Sequence, residues 1–216
     1  MDMENARFNM IEQQIHPWNV SDKALLDLLF SIKREAFVPS KFKHMALSDL
    51  EIPLPGGQKM LLPSIEIKLI QELKVQKTDK VLEIGAGSGY VTALLAKLAE
   101  FVYTLEINEQ NKQLALKNLA HAGVNNVSVI SGNGIDGLAS KGKFDKIFIG
   151  GGVVTIPEVL KNQLNIQGKL VGFSGTKPVM HAVLIEKISQ NEYSERKLFE
   201  TDVEYLINAS VPKFKF

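Results

Sequence analysis

Three glycines stand at alternate positions directly after a short apolar run. Gly85, Gly87 and Gly89 follow residues 81–84, and a helix-forming segment follows them. A turn that bends sharply after a strand and lets a ligand approach the backbone needs positions without Cβ and with free N–H groups. The G-x-G-x-G spacing is one residue tighter than the G-x-G-x-x-G of nicotinamide and flavin dinucleotide sites. The pattern predicts a strand, a turn and a helix that hold a nucleotide-like ligand.

Two glutamates near this turn could contact the same ligand. Glu106 ends the next apolar run and stands about 20 residues after the first glycine. At that separation a carboxylate on the second strand accepts hydrogen bonds from both hydroxyls of a ribose. Glu83 lies on the first strand itself. We therefore expect both glutamates to bind the ligand; the alternative is an ordinary strand-to-helix turn with a solvated carboxylate at the strand end.

The elements around the turn alternate between strands and helices. Apolar patterns predict strands at residues 81–84, 101–105, 127–130, 146–149 and 170–173, and helices at 91–99, 109–122 and 157–163. Such alternation requires a parallel sheet with right-handed crossovers. Residues 179–188 and 197–207 are also strand-like, and the short segment between them predicts an antiparallel hairpin at one sheet edge. The predicted fold class is therefore α/β, a doubly wound, Rossmann-like and mostly parallel sheet with a C-terminal antiparallel hairpin.

The first third of the chain has a different pattern. Apolar residues at helical spacing predict three helices, at residues 5–14, 21–32 and 63–73. Ser21 is the predicted N-cap of the second helix. Residues 52–57 contain two prolines and two glycines, and this composition predicts a loop. We therefore divide the chain into an N-terminal helical segment with a substrate-side loop, residues 1–78, packed on a ligand-binding core, residues 79–216.

Composition excludes several classes of protein. The chain has 216 residues and a net charge of +1, from 25 basic and 24 acidic side chains, so no overall field favours nucleic acid or an anionic membrane. It contains no cysteine, which excludes disulfides, thiolate metal sites and cysteine nucleophiles. Its apolar runs are too short to span a bilayer, and its first residues lack the pattern of a secretion signal. We expect a cytoplasmic protein that binds neither nucleic acid nor membrane and uses no metal ion.

Seven motifs occur in an order and a spacing that indicate a family. They are residues 34–39 (REAFVP), Asp49, residues 57–58 (GQ), 81–90 (VLEIGAGSGY), 102–106 (VYTLE), 132–134 (GNG) and 144–147 (FDKI). Together they resemble the protein-L-isoaspartate (D-aspartate) O-methyltransferase family, a group of class I methyltransferases that use S-adenosylmethionine. The resemblance extends over residues 7–188. It implies methyl transfer to the carboxylate of isoaspartyl residues in a protein or peptide substrate, and so a role in protein repair.

The resemblance also implies roles for particular residues on the cofactor side. It places the three glycines around the amino-acid end of S-adenosylmethionine, Glu106 on its ribose, and the turn of Gly132, Asn133 and Gly134 beside its adenine. Asn133 keeps a carbonyl acceptor where the family usually has an aspartate. Gln58, in the loop before the first strand, is implied to approach the methyl-donating sulfonium.

The family's substrate side is altered in this chain. The resemblance implies that Asp49 lies in the loop over the site, and a turn-capping carboxylate is the alternative. In the family the Gly-Gln pair is followed by Thr, Ile and Ser, with the serine near the methyl donor, whereas this chain has Lys59, Met60 and Leu61. A hydrocarbon at Leu61 cannot hydrogen-bond a peptide carboxylate. The resemblance is thus to a divergent member, for which we expect weak or absent isoaspartyl methylation that Leu61→Ser would raise.

Alternatives stay open for the function. The family's C-terminal substrate loop has no clear match in residues 205–216. Together with Leu61, this leaves a protein that binds S-adenosylmethionine but methylates another small acceptor, or that has lost catalysis and acts as a binding module. A nicotinamide dehydrogenase is disfavoured by the tighter glycine spacing. A carboxylate acceptor is already ionised at pH 7, so the reaction needs no general base; His16 is the histidine best placed to face a substrate cleft.

Overall fold

The N-terminal part of the chain is mainly helical, and the computed structural model describes residues 2–209. Its elements are α1 (Met3–Asn9), which continues as a π-helix (Met10–Ile15) and a 3-10 turn (His16–Trp18), α2 (Lys23–Ser31), two further 3-10 turns (Arg34–Ala36 and Ser40–Met45), the short antiparallel strands β1 (Ile52–Pro53) and β2 (Lys59–Met60), and α3 (Pro63–Leu73). The predicted N-cap of α2 is wrong by one residue, because Asp22 rather than Ser21 accepts the Leu25 N–H, at 3.1 Å. The Gln71 amide oxygen binds the Ser21 N–H at 2.7 Å and fixes the approach of the chain to this cap.

A seven-stranded sheet forms the rest of the framework. Its strands are β3 (Lys80–Ile84), β4 (Phe101–Glu106), β5 (Val127–Ser131), β6 (Phe144–Val153), β7 (Leu164–Thr176), β8 (Val179–Lys187) and β9 (Tyr193–Thr201), and its connecting helices are α4 (Tyr90–Leu98), α5 (Glu109–His121) and α6 (Glu158–Asn162). The order is β5-β4-β3-β6-β7-β8-β9; the first five strands pair in parallel, and β8 and β9 pair antiparallel. The predicted mostly parallel sheet with a C-terminal antiparallel hairpin is confirmed. Within the described range, every helix lacks the length or the apolar content that a bilayer span would need.

The C-terminal hairpin differs from the predicted one in its limits. β8 pairs antiparallel with β7 as well as with β9, after a two-residue turn at Lys177 and Pro178. The strand predicted at residues 197–207 is wrong at both ends, because β9 begins earlier and residues 202–209 leave the sheet. Tyr205 instead forms a single parallel bridge with Gly152, near the end of β6. The last described residues therefore return across the carboxyl ends of the strands.

Apolar side chains cover both faces of the sheet. Val81 belongs to a buried cluster that includes residues of the N-terminal helices, α3 and α4, whereas Leu82 and Ile84 belong to a second cluster with α6. This alternation follows from the pleat, which turns successive side chains of β3 to opposite faces. The first cluster joins residues of the N-terminal segment to residues of the sheet. The division of the chain into two segments stays a prediction, and residues 210–216 of its second segment lie outside the described part.

Candidate functional site

The glycine turn has a left-handed backbone. Gly85, Gly87 and Gly89 have φ angles of 90°, 54° and 83°, a region that residues with a Cβ seldom adopt. The turn follows β3, which lies between β4 and β6, the point at which the strand order reverses. Open α/β sheets bind ligands at such a point, outside the carboxyl ends of the strands. Because α4 begins at Tyr90, the unpaired N–H groups of its first turn lie next to the same place.

A cleft opens beside this turn, with about 740 Å³ of space that includes open solvent. The predicted site residues that line it are Gln58, Leu61, Gly85, Gly87, Glu106, Gly132, Asn133 and Gly134. A second cavity adjoins the cleft and shares several of its lining residues, and its space of about 350 Å³ also includes open solvent. Glu83 lines only this second cavity, and Gly89 and Asp49 line neither. The structure therefore brings most of the predicted residues together, with Asp49 as the main exception.

Glu106 presents a fixed carboxylate at the wall of the cleft. Its side chain is largely buried, with 6% of the residue exposed. One carboxylate oxygen accepts the Gly87 N–H at 2.8 Å, and the other accepts the Asn108 N–H at 2.9 Å. Each oxygen keeps further acceptor capacity, because an ionised carboxylate has about four lone-pair sites. Such a group can accept hydrogen bonds from a pair of ligand hydroxyls.

The turn after β5 forms another wall of the cleft. Gly134 has no room for a side chain, since a Cβ there would overlap Ile84 Cγ2. The side-chain N–H₂ of Asn133 donates to Asp136 Oδ2 at 2.9 Å. This leaves the side-chain carbonyl oxygen of Asn133 as an acceptor. Apolar side chains line the same cleft, namely Leu105, Ile107 and Ile135. Apolar walls with a few fixed polar groups suit a flat heterocycle such as adenine.

Polar side chains tie the loop between β1 and β2 to α5. Asn111, of which only 1% is exposed, donates to Gln58 Oε1 at 3.0 Å and accepts the Gly56 N–H at 2.9 Å. Gln58 is thereby held in the wall of the cleft, with its amide nitrogen as a remaining donor. Sequence reasoning missed Asn111. Its position in the first turn of the helix after the Glu106 strand is the signal that could have found it.

The segment after Gln58 forms the junction of the two cavities. Lys59 and Leu61 line both of them. Leu61 is 8% exposed and contributes hydrocarbon surface at the position of the family's serine. Lys59 Nζ lies 2.9 Å from Glu51 Oε2 and 3.2 Å from Glu204 Oε1. The carboxylates of Glu51 and Glu204 raise the pKa of Lys59, and Glu51 has the larger effect. The Lys59 ammonium is therefore charged at pH 7.

Two buried carboxyl groups line the second cavity. Glu83 accepts the Thr92 hydroxyl at 2.5 Å, and its other oxygen has no hydrogen-bond partner among residues 2–209. Burial raises the pKa of Glu83 to about 7. Burial also raises the pKa of Glu66 to about 7, although the Arg34 guanidinium, at 3.2 Å, opposes the shift. Because Glu83 lines the second cavity and not the larger cleft, it lies beneath the glycine turn.

Asp49 and His16 lie away from both cavities. Asp49 accepts the Ser64 hydroxyl at 2.8 Å and the Ser64 N–H at 3.2 Å, at the start of α3. These bonds match the capping role that was the alternative for Asp49. His16, the histidine best placed by the sequence to face a substrate cleft, lies 3.3 Å from a Glu12 carboxylate oxygen and lines neither cavity. Among the described residues no three His, Cys, Asp or Glu side chains are grouped as metal ligands.

The last described residues form a wall of the cleft that sequence reasoning missed. The lining residues of this C-terminal segment are Glu204, Tyr205, Leu206 and Ile207. The Gly152 N–H donates to the Glu204 carbonyl at 2.8 Å, and the Leu206 N–H donates to the Gly152 carbonyl at 2.9 Å. A Cβ at Gly151 would lie 2.8 Å from Leu206 Cδ2, so a larger residue there would displace the Leu206 side chain. The contact joins positions about 50 residues apart in the chain and leaves no local pattern.

The chain is similar to known proteins over most of its length. The family model of protein-L-isoaspartate(D-aspartate) O-methyltransferase matches residues 5–207. A protein-L-isoaspartate O-methyltransferase of Koribacter versatilis is 34% identical over 192 residues, which are 89% of this chain and 86% of that protein. One of Petrotoga mobilis is 34% identical over 204 residues, 92% of this chain and 96% of that protein. A solved Plasmodium falciparum structure of this type, in complex with S-adenosyl-L-homocysteine, has a TM-score of 0.81 and 18% identity, and covers 95% of this chain and 98% of its own.

Proposed function

Because the chain belongs to the protein-L-isoaspartate (D-aspartate) O-methyltransferase family, we propose that it transfers a methyl group from S-adenosylmethionine to the carboxylate of isoaspartyl residues in proteins or peptides. The observation that supports this proposal most strongly is the cleft in which the glycine turn, Glu106 and Gln58 meet. S-adenosylmethionine supplies a methyl carbon on a sulfonium sulfur, and its transfer to a carboxylate oxygen leaves a neutral thioether and a methyl ester, with no proton to be moved.

The residues of the cleft fit this cofactor. The fixed carboxylate of Glu106 suits the ribose hydroxyls, and the apolar wall beside Asn133 suits adenine. The left-handed backbone at Gly85 and Gly87, where no Cβ intervenes, lets the amino-acid end of the cofactor approach the turn closely. Glu83 would contribute from the second cavity, where one of its oxygens has no partner within residues 2–209.

The proposed reaction needs alignment more than acid-base chemistry. The acceptor carboxylate is ionised at neutral pH, so the protein's task is to orient it and to exclude water. Gln58 is a polar group of the larger cleft, Lys59 is a polar group at the junction of the cavities, and Leu61 contributes hydrocarbon at that junction. Because Leu61 offers no hydroxyl to orient the acceptor, we expect turnover on isoaspartyl peptides to be slow.

The acceptor and the location of the protein follow from the same proposal. We propose a protein or peptide substrate with an isoaspartyl linkage, acted on in the cytoplasm. A net charge of +1 gives no general attraction for nucleic acid or for anionic membranes, so we propose neither as a partner.

A methyl-transfer assay tests the proposed function. An isoaspartyl peptide and its aspartyl isomer are compared as acceptors, while calorimetry measures the binding of S-adenosylhomocysteine to the same preparation. We expect binding of the cofactor product and methylation of the isoaspartyl peptide in preference to its isomer. Binding with methylation of neither peptide would reject the isoaspartyl acceptor and leave the two alternatives, another small acceptor or a binding module without catalysis.

A further inference from the structure

Lys59 lies where an anionic acceptor would meet a positive charge. Of the residues within 2–209 that line the two cavities, it is the only one with a basic side chain. It borders both cavities, as do Leu61 and the glycines Gly85 and Gly87. The residues that follow it, Met60 and Leu61, have no polar side-chain atoms that could hold a carboxylate. An anion that reaches the junction of the cavities therefore has Lys59 as its partner.

The Lys59 ammonium is already paired with carboxylates of this chain. Glu51, which directly precedes β1, lies 2.9 Å from it, and Glu204, from the C-terminal segment, lies 3.2 Å from it. The side chains of Lys59 and Glu204 are 39% and 46% exposed. Exposed ion pairs of this kind are weak, because water and salt compete for both charges. A substrate carboxylate can therefore replace Glu204 at the ammonium.

We propose that Lys59 binds the carboxylate of the isoaspartyl acceptor and that Glu204 occupies the same ammonium until the acceptor arrives. This inference rests on the proposed function and names the group that holds its substrate. The ammonium binds one carboxylate oxygen, and the other oxygen forms the bond to the methyl carbon. The bond from that carbon to sulfur breaks, and its electron pair stays on sulfur. The ester product is neutral and loses the ion pair, so the return of Glu204 favours its release.

Two substitutions that break the same ion pair test this role. The variants are Lys59→Gln and Glu204→Gln, each saturated with S-adenosylhomocysteine. Calorimetry measures the binding of an isoaspartyl peptide and of the same peptide with that carboxylate replaced by a primary amide. We expect Lys59→Gln to weaken binding of the carboxylate peptide about tenfold and to abolish its preference over the amide. Glu204→Gln should tighten binding of the carboxylate peptide roughly two- to fivefold, because the competing anion is gone.

A matched control exists at the turn between β7 and β8. Lys177 lies 2.9 Å from Asp202, and their side chains are 43% and 49% exposed. Neither residue lines the two cavities. Lys177→Gln removes a comparable ion pair and should leave the affinity for both peptides unchanged.

The outcomes separate this inference from the proposed function. If the ion pair is purely structural, both variants should change peptide binding in the same direction. That result would overturn the inference. A preference for the carboxylate peptide that Lys59→Gln retains would also overturn it. If the wild type methylates the peptide and Lys59→Gln keeps the preference for the carboxylate peptide, the inference alone is overturned. Wild-type protein that binds the carboxylate peptide through Lys59 without methylating it would overturn the proposed function alone. Absence of peptide binding would overturn both.

Discussion

At the scale of single residues, Glu106 is the side chain with the clearest expected effect on the cofactor. Two backbone N–H groups fix its carboxylate at the cleft. Glu106→Ala should weaken binding of S-adenosylhomocysteine by about 1.5 to 3 kcal/mol for each charged hydrogen bond lost. Glu106→Gln, which keeps an acceptor without the charge, should lose less. Calorimetry measures both, with the exposed Glu109→Ala as a control, and unchanged affinity in Glu106→Ala would remove the residue from the cofactor site.

Leu61 affects turnover rather than binding if Lys59 holds the acceptor. Leu61→Ser restores a hydroxyl at the junction of the cavities, and Leu61→Ala removes similar volume without adding a donor. We expect kcat on an isoaspartyl peptide to rise several-fold in the serine variant relative to the alanine variant, because one added hydrogen bond is worth about 1 kcal/mol. Steady-state kinetics of the three proteins tests this. Equal kcat values in the two variants would show that the hydroxyl does not orient the acceptor.

Burial of Glu83 gives the stability of the protein a definite pH dependence. Its pKa rises from 4.5 to about 7, so the native state holds a proton that the unfolded chain releases between these pH values. The unfolding free energy should therefore fall as the pH rises through this window, by up to about 3 kcal/mol for this group. Glu83→Gln removes the contribution, so its stability relative to the wild type should be greater at pH 8 than at pH 5.

Thermal unfolding at both pH values measures this difference. Glu100→Gln, at an exposed position, serves as the control for the loss of one carboxylate from the chain. A difference between Glu83→Gln and wild type that is the same at pH 5 and pH 8 would mean that Glu83 is ionised in the native state throughout the range.

At the scale of elements, Asp49 stabilises the start of α3. Its bonds to the hydroxyl and N–H of Ser64 satisfy a donor in the first turn of that helix. Asp49→Ala should lower the unfolding free energy by about 0.5 to 2 kcal/mol and leave the affinity for S-adenosylhomocysteine unchanged. Urea unfolding and calorimetry test the two parts. Normal stability with lost methyl transfer would instead support the catalytic role that the family resemblance implies.

Local patterns allowed the elements of the sheet to be predicted and did not identify the course of the last described residues. The strand at β3, its glycines and Glu106 could be predicted because their spacing along the chain directly determines the turn and the ribose position. Val203, Tyr205 and Ile207 alternate as in a strand, yet they follow the end of β9, and Tyr205 and Ile207 line the cleft. Their environment depends on contacts with distant Gly151 and Gly152, which no local period reports. The same reason explains why Glu204 was missed.

At the scale of the whole molecule, one buried arginine joins separate parts of the chain. Arg34 donates to Glu66 at 3.2 Å, to the Ala46 carbonyl at 2.9 Å and to the Leu61 carbonyl at 2.8 Å. Arg34→Met leaves Glu66 buried without its partner and should lower the unfolding free energy by about 3 to 5 kcal/mol. The double variant Arg34→Met/Glu66→Leu should recover part of this loss, because it leaves no unpaired charge. Urea unfolding compares the variants, and a double variant no more stable than the single one would contradict this account.

The position of the C-terminal segment also has a bearing on how the protein is made. Residues 204–207 complete the cleft by pairing with Gly152. At a synthesis rate of about 5 to 20 residues per second, they are synthesised roughly 3 to 10 s after that glycine. During this interval the nascent chain already has its glycine turn and Glu106 but lacks the wall that they face. A chain truncated before Glu204 would therefore have an open groove, and we expect it to bind the cofactor less tightly than the full-length chain does.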